Sequence, residues 1–308
     1  MKKTLISLAL FGALFTQAQE CDIHIRVVTP NAESCGGEPA VADLLSNRLI
    51  NILTRNGITA NNGYGQFYIS GRFDNLYKET TSGAPMQTVI HTSLTLMVAD
   101  IFTNKVFDSE IFDLRGVGNG TERAYINALS SLSKSNEKLN HFINRAQTKV
   151  INHFDANYPQ ILANAKTAAA KRNYDEAIFY TSLIPQCSKG YADAENAMLK
   201  YYQQYLDYNG AMLLNKARGA FAVSPNAEGA VTAFEYLNQI DPASSSYQAS
   251  QNLAREIQVQ TKVEYDFEYH EKYKDALEIE QRKIDAARQI GVAFGNGQKA
   301  NTTNILWE

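Results

Sequence analysis

The period of the apolar pattern changes near Asp155. Before that residue, β-branched and aromatic side chains alternate with polar ones and glycines are frequent. After it Ala, Lys, Glu, Gln and Tyr dominate, with prolines at wide intervals. A period of two can bury one face of a strand, and a period near 3.6 can bury one face of a helix. The chain is therefore expected to be α+β: a mixed β-sheet domain covered by helices over residues 19–155, then an all-α helical-repeat domain over 156–292, then a flexible tail over 293–308.

Within the first domain, Ile23, Ile25 and Val27 alternate with His24 and Arg26, which predicts a strand over 22–28. A helix is expected from about Pro39, with Val41, Leu44, Leu45, Leu49, Ile52 and Leu53 on one stripe and Asn56-Gly57 as its stop. Phe67–Phe73 reads as a second strand and 80–85 as a polar loop. A long strand over 88–102 turns at Thr103-Asn104-Lys105 and returns over 106–114. Gly116, Gly118 and Gly120 are expected to break that strand in a tight turn before a helix starting near Thr121. Phe142, Ala146, Val150 and Phe154, at four-residue steps, mark a further helix.

Beyond Tyr158, Pro159, Pro185, Pro225 and Pro242 are read as helix ends. Leu214, Ala217, Arg218 and Phe221, followed by Ala230, Phe234, Leu237 and Pro242, resemble the tetratricopeptide spacing, with Arg218 where that family prefers Gly. Residues 173–178 parallel 226–231 at a step of 53, longer than the 34 of a regular array, so an extra helix over about 191–208 is expected between two units. One or two long charged helices should follow over 247–292.

In the first domain, an aromatic-rich strand ends in Gly71-Arg72. Residues 98–107 carry an Asp-x-x-Thr-Asn-Lys hairpin, with Asn104 where Gly is usual, and Gly116–Gly120 leads into Ala124 and Ala128. Over about 130 residues this arrangement resembles the periplasmic domain shared by the curli-secretion protein CsgG, the penicillin-binding-protein activator LpoB and the N-terminal domain of TolB. The resemblance implies a mostly noncatalytic fold that binds partners in the cell envelope. The chain departs from the pore-forming member: it has no clear lipobox and no long amphipathic insertions, and Asp100, Asp108, Glu110 and Asp113 are dense charges for a lipid-facing sheet.

Lys2-Lys3, an apolar run from Leu5 to Phe15 and Thr16-Gln17-Ala18 read as a secretory signal peptide over 1–18. The apolar run is too short for a membrane span, which needs about 20 residues. Removing those residues takes two lysines and no acids, so the net charge moves from −3 to −5. With no basic block, nucleic acid is not an expected partner. Three cysteines remain, Cys21, Cys35 and Cys187. In an oxidising compartment Cys21 and Cys35 are the expected disulfide, and Cys187 a buried or partly buried thiol.

Little chemistry is expected. His24, His91, His141, His153 and His270 show no ligand spacing, and no metal or cofactor site is expected. The four acids of the hairpin read as a solvated face rather than an acid/base pair. Tyrosine combines contact area with a polar tip, so within the cluster over 174–208 Tyr201, Tyr202, Tyr205 and Tyr208 are candidate partner-binding residues, together with Ile305, Leu306 and Trp307 of the tail. The expected function is that of a noncatalytic adaptor or subunit of a periplasmic or outer-membrane assembly. Its partners would be other envelope proteins, an outer-membrane protein among them, and it would make no membrane span of its own. The alternative is a glycan- or peptidoglycan-binding protein, or a regulator of a cell-wall enzyme, using Tyr64 and Tyr77 in the 63–120 loops.

Overall fold

The computed structural model describes residues 23–58, 66–132, 137–264 and 276–297. The first half runs β1 (Ile25–Val27), α1 (Pro39–Arg55), β2 (Phe67–Thr80), β3 (Thr88–Asp100), β4 (Val106–Gly118), α2 (Thr121–Leu129) and α3 (Glu137–Ala170). The strands form one mixed sheet in the order β1-β2-β3-β4, with β1 parallel to β2 and the other pairs antiparallel. The protein is α+β, as its change of period requires.

Alternation decides what each strand buries. On β3, Ile90, Leu94 and Leu96 point inward, and on β4 Phe112 and Leu114 face them. Leu45, Leu49, Ile52 and Leu53 of α1, Ala124, Tyr125 and Ala128 of α2, and Phe142, Ala146, Val150 and Phe154 of α3 complete the same core. α1 stops as its sequence predicts, with the Asn56 N–H on helix carbonyls and Gly57 left-handed at φ 73°.

The β3–β4 turn is built around Asp100, which is 2% exposed. Its Oδ1 accepts from the Phe102 N–H at 2.7 Å and the Thr103 N–H at 3.2 Å, and its Oδ2 accepts from Gln66 Nε2 at 2.9 Å. Asn104 takes the left-handed position at φ 55°, which the short amide side chain tolerates.

Two glycines behave differently from expectation. Gly116 and Gly118 do not break β4 but lie within it, paired with Ile90 and Thr88. A Cβ on Gly116 would lie 1.9 Å from the Ala124 carbonyl oxygen, and one on Gly118 2.6 Å from the Ala124 nitrogen. The glycines let the backbone of α2 rest directly on the strand.

The second half runs α4 (Tyr174–Ser182), α5 (Tyr191–Val223), α6 (Ala227–Leu237), α7 (Tyr247–Thr261) and α8 (Ala276–Gly297). Three sequence expectations are corrected here. Pro159 lies inside α3, because Tyr158, Ile161 and Leu162 carry the apolar stripe past it onto the core; α3 thus runs unbroken through Asp155. The extra helix over 191–208 and the helix carrying Leu214 are one helix, α5. Gly210 does not interrupt it but admits Ser244, whose Oγ would lie 2.1 Å from a Cβ there. α8 continues to Gly297, past the expected start of the tail, because Phe294 packs on Phe179 and Gly295 fits against Phe179 and Phe102. α8 is also tied to α5 through Tyr191, whose hydroxyl contacts Arg288 Nη2 at 2.5 Å and Glu195 Oε1 at 2.9 Å. Among the described residues, no helix is long and apolar enough to cross a membrane.

Gly116→Ala should destabilise the protein by about 1–3 kcal/mol or more through overpacking against the α2 backbone, whereas Gly83→Ala, with open space around it, should be near neutral. Denaturant unfolding of the two variants checks this.

Candidate functional site

The acids of the hairpin do not form a solvated face. Asp108 and Glu110 share the parity of Phe112 and Leu114, so they point to the helix side of the sheet, where α3 passes. Asp108, 7% exposed, accepts from Arg145 Nε at 2.6 Å and Lys149 Nζ at 2.8 Å. Glu110 pairs with Arg145 Nη2 at 2.9 Å and Lys138 Nζ at 3.1 Å. Burial pushes the Asp108 carboxyl up, but hydrogen bonds from Lys149 and Arg145 outweigh it and hold it below its ordinary value. Hydrogen bonds from Arg145 and Lys138 lower Glu110 likewise. These carboxylates are engaged by cations and serve as ties between β4 and α3. Asp113 alone of the four is exposed.

The other polar candidates are scattered. His153 contacts Lys105 Nζ at 3.0 Å, and burial, then the Lys105 charge, pull its imidazole below the ordinary value. His24 and His141 are exposed and His91 is half-buried, while His270 lies outside the described residues. Among the described residues no group of three or more His, Cys, Asp or Glu could hold a metal ion. On the sheet face away from the helices, Tyr68 is buried beside Arg26. Its hydroxyl and the Arg26 Nε have no hydrogen-bond partner, and burial pushes the Tyr68 phenol up to about 12.

The candidate partner-binding tyrosines divide. Tyr201 and Tyr202, 8% and 9% exposed, belong to the core that joins α5 to α3, α4 and α8, with Met198, Leu206 and Ala287. Burial raises the Tyr201 phenol. Tyr205 is half-buried against the same cluster and stacks on Tyr202 at 6.4 Å. These three fill gaps between helices, which corrects the expectation for Tyr201 and Tyr202. Tyr208 is different, because it lines a groove. Ile305, Leu306 and Trp307 lie outside the described residues, as does Tyr64; Tyr77 is 49% exposed near the end of β2.

The groove at Tyr208 holds about 600 Å³ and is lined by Arg172, Tyr174, Gln204, Asp207, Tyr208, Ala211, Met212 and Asn215. Arg172, left-handed at φ 65° just after α3, sets its guanidinium 5.6 Å from the Tyr208 ring, and Tyr174 meets the same ring at 5.8 Å. Asp207 accepts from the Ser245 N–H at 2.7 Å and from Gln203 Nε2 at 3.1 Å, which fixes the loop after α6 against α5. A second groove of about 420 Å³ lies between α5 and α6. Lys216, Gly219, Val223, Glu228 and Tyr236 are among the residues lining it, and the Lys216 ammonium stands 5.8 Å from the Tyr236 ring.

Gln204, Tyr208, Met212, Asn215, Gly219 and Val223 recur at helical spacing on α5, so the two grooves share one strip about 30 Å long. Met212 is 41% and Val223 85% exposed on it. Sequence reasoning found Tyr208 but missed Arg172 and Lys216. Their signal, a cation positioned to cover a tyrosine from another helix, appears only once the helices are packed.

The chain matches no protein family. No curated protein matches it. Among solved structures it is similar to a neuraminyllactose-binding hemagglutinin homolog from Helicobacter pylori, at 14% identity over 45% of this chain and 83% of that one, with a TM-score of 0.22. A likeness at that level carries no inference.

The acid cluster fixes a pH dependence. Folded Asp108 and Glu110 titrate below their ordinary values of 3.8 and 4.5. The unfolded chain therefore binds more protons in acid, and their stabilisation is complete above those values and lost as pH falls through the folded ones. Asp108→Asn should lower stability at pH 7 and flatten the loss of stability below pH 4.5, as read by thermal melts across pH.

Proposed function

We propose that this protein is a noncatalytic adaptor or subunit of a cell-envelope assembly that grips a partner protein along the α5 strip. The observation that carries the reading is the pair of grooves on one helix, each walled by a cation over a tyrosine ring and each bearing an exposed apolar side chain. Aromatic and Arg side chains beside apolar contacts are the composition that anchors protein interfaces. A long helix holds such anchors at fixed spacing.

The spacing of residues 214–242, which resembles the tetratricopeptide pattern, supports the same reading. Leu214, Ala217, Ala230, Phe234 and Leu237 share one core cluster with Ile240, Ala254 and Ile257. Small residues at Ala217, Ala230 and Ala233 allow α5 and α6 to approach closely. The resemblance to the CsgG, LpoB and TolB domain rests on the sequence features of the first half. The four-stranded sheet, with its Asp100-centred hairpin, is compatible with it. In this reading the sheet domain is the platform and α5 the recognition element.

The test is a pull-down from envelope extracts with the full chain and an Arg172→Glu, Met212→Asp double variant. Both positions are exposed, so the variant should melt like the parent. A partner retained by the parent and reduced at least tenfold with the variant is the expected result. Equal retention by both, or no stable partner, overturns the proposal. Tyr77 keeps one glycan arm worth running: specific glycan binding lost in Tyr77→Ala and kept in the double variant would favour a saccharide ligand instead.

A further inference from the structure

β4 is an edge strand of 13 residues, and among the described residues no strand pairs with its outer side. A long edge strand presents a row of N–H and C=O groups to any strand that can match it, and proteins ordinarily cover, bend or shorten such edges. Here the pairing with β3 runs without a bulge from Thr88 opposite Gly118 to Val98 opposite Asp108. The Asp100 N–H, of even parity on β3, reaches the Lys105 carbonyl at 2.9 Å. Even-numbered residues of β3 therefore turn their backbone to β4, and the register pairs them with even-numbered residues of β4. The odd-numbered residues of β4 turn theirs away from the sheet.

Two contacts confirm that outward set. Asn127 Nδ2 donates to the Val117 carbonyl at 2.7 Å, and Lys138 Nζ donates to the Ile111 carbonyl. Asp113 and Arg115 lie between these carbonyls with the same parity. Both side chains are exposed, and neither makes an ion pair among the described residues. Ile111 and Val117 are 54% and 45% exposed on the sheet face away from the helices.

We propose that β4 pairs antiparallel with β4 of a second copy of this chain, about a two-fold axis at Leu114. Self-complementarity selects that occupant. A two-fold contact requires residue i to meet j and j to meet i. With the axis at Leu114, Asp113 lies opposite Arg115 of the second copy, and Ile111 lies opposite its Val117. Opposite charges and β-branched pairs directly across a ladder are stabilising, and like charges there are destabilising. An axis at Asp113 would set two aspartates against each other, and one at Arg115 two arginines. The charges thus choose one register. The outward N–H and C=O groups of Asp113 and Arg115 bond one another across the axis. At the ends, the Ile111 and Val117 carbonyls keep a second lone pair, and their present donors, Lys138 and Asn127, are exposed residues with room to shift. The matched stretch is about 20 Å long, so a weak dimer is expected. It uses no residue of the α5 strip, and stands or falls apart from the adaptor reading.

The test is sedimentation equilibrium of the full chain across about 1–100 µM, the range suited to a small interface. A dimer is expected. Arg115→Asp sets acid against acid and should weaken it at least about tenfold. Adding Asp113→Arg to that variant restores opposite charges and should return the affinity to within about threefold of the parent. A monomer throughout, a dimer that Arg115→Asp leaves intact, or a double variant no tighter than the single one overturns the pairing. Hydrogen exchange of the parent locates the contact without any variant. The Asp113 and Arg115 amides should exchange more slowly in concentrated than in dilute protein, and equal exchange at both concentrations overturns the pairing as well.

Discussion

A helix of 34 residues is about 50 Å long, and α3 buries a stripe along nearly all of it. Leu139, Phe142, Ile143, Ala146, Val150 and Phe154 lie under the sheet with α1 and α2. Tyr158, Ile161 and Leu162 then meet Phe179, Leu183 and Ile184 beside α4, and Ala165 and Ala168 enter the cluster of Tyr201, Tyr202 and Leu206. Large side chains serve the sheet, where space is deep. Alanines serve the helices, where backbones come close. One rigid rod thus positions both halves, and Pro159 is carried within it because the packing on either side outweighs the hydrogen bond it forgoes.

Polar groups mark the places where the elements are locked. Asp100 gathers two backbone N–H groups and the Gln66 amide at the hairpin end. Asp108 and Glu110 hold α3 through three cations, and Asp207 ties α5 to the loop after α6. Asp108, 7% exposed, would be left as an uncompensated buried charge without its cations, so these ties favour one docking geometry over nearby alternatives.

Much of the fold was legible because its signals are local. The hairpin register follows from alternation, the end of α1 from Asn56-Gly57, and the α3 stripe from four-residue steps. What was misread depends on partners distant in sequence. Gly116 looks like a break until α2 is seen against it. The acids of β4 look solvated unless their parity with Phe112 is followed through the hairpin. Tyr201 and Tyr202 cannot be told from Tyr208 by composition, since all three sit on one helix and only its neighbours decide which are covered. Cys21 and Cys35 are close in sequence, but Cys35 is free and buried in the sheet core.

The last described helix has a consequence for how the molecule is made. Gly295 closes over Phe102 and Phe179, so the hairpin turn of the sheet touches a residue about 190 positions further along the chain. Contacts of such separation form late and slow the approach to the native state. During synthesis the sheet and α3 can assemble first, as domains commonly do, but the two rings stay uncovered by α8 until residues 276–297 have been made. The nascent chain therefore lacks the α8 cover over this aromatic pair until then. Chains cut short before α8 would display that pair permanently, as a surface for proteolytic or chaperone surveillance.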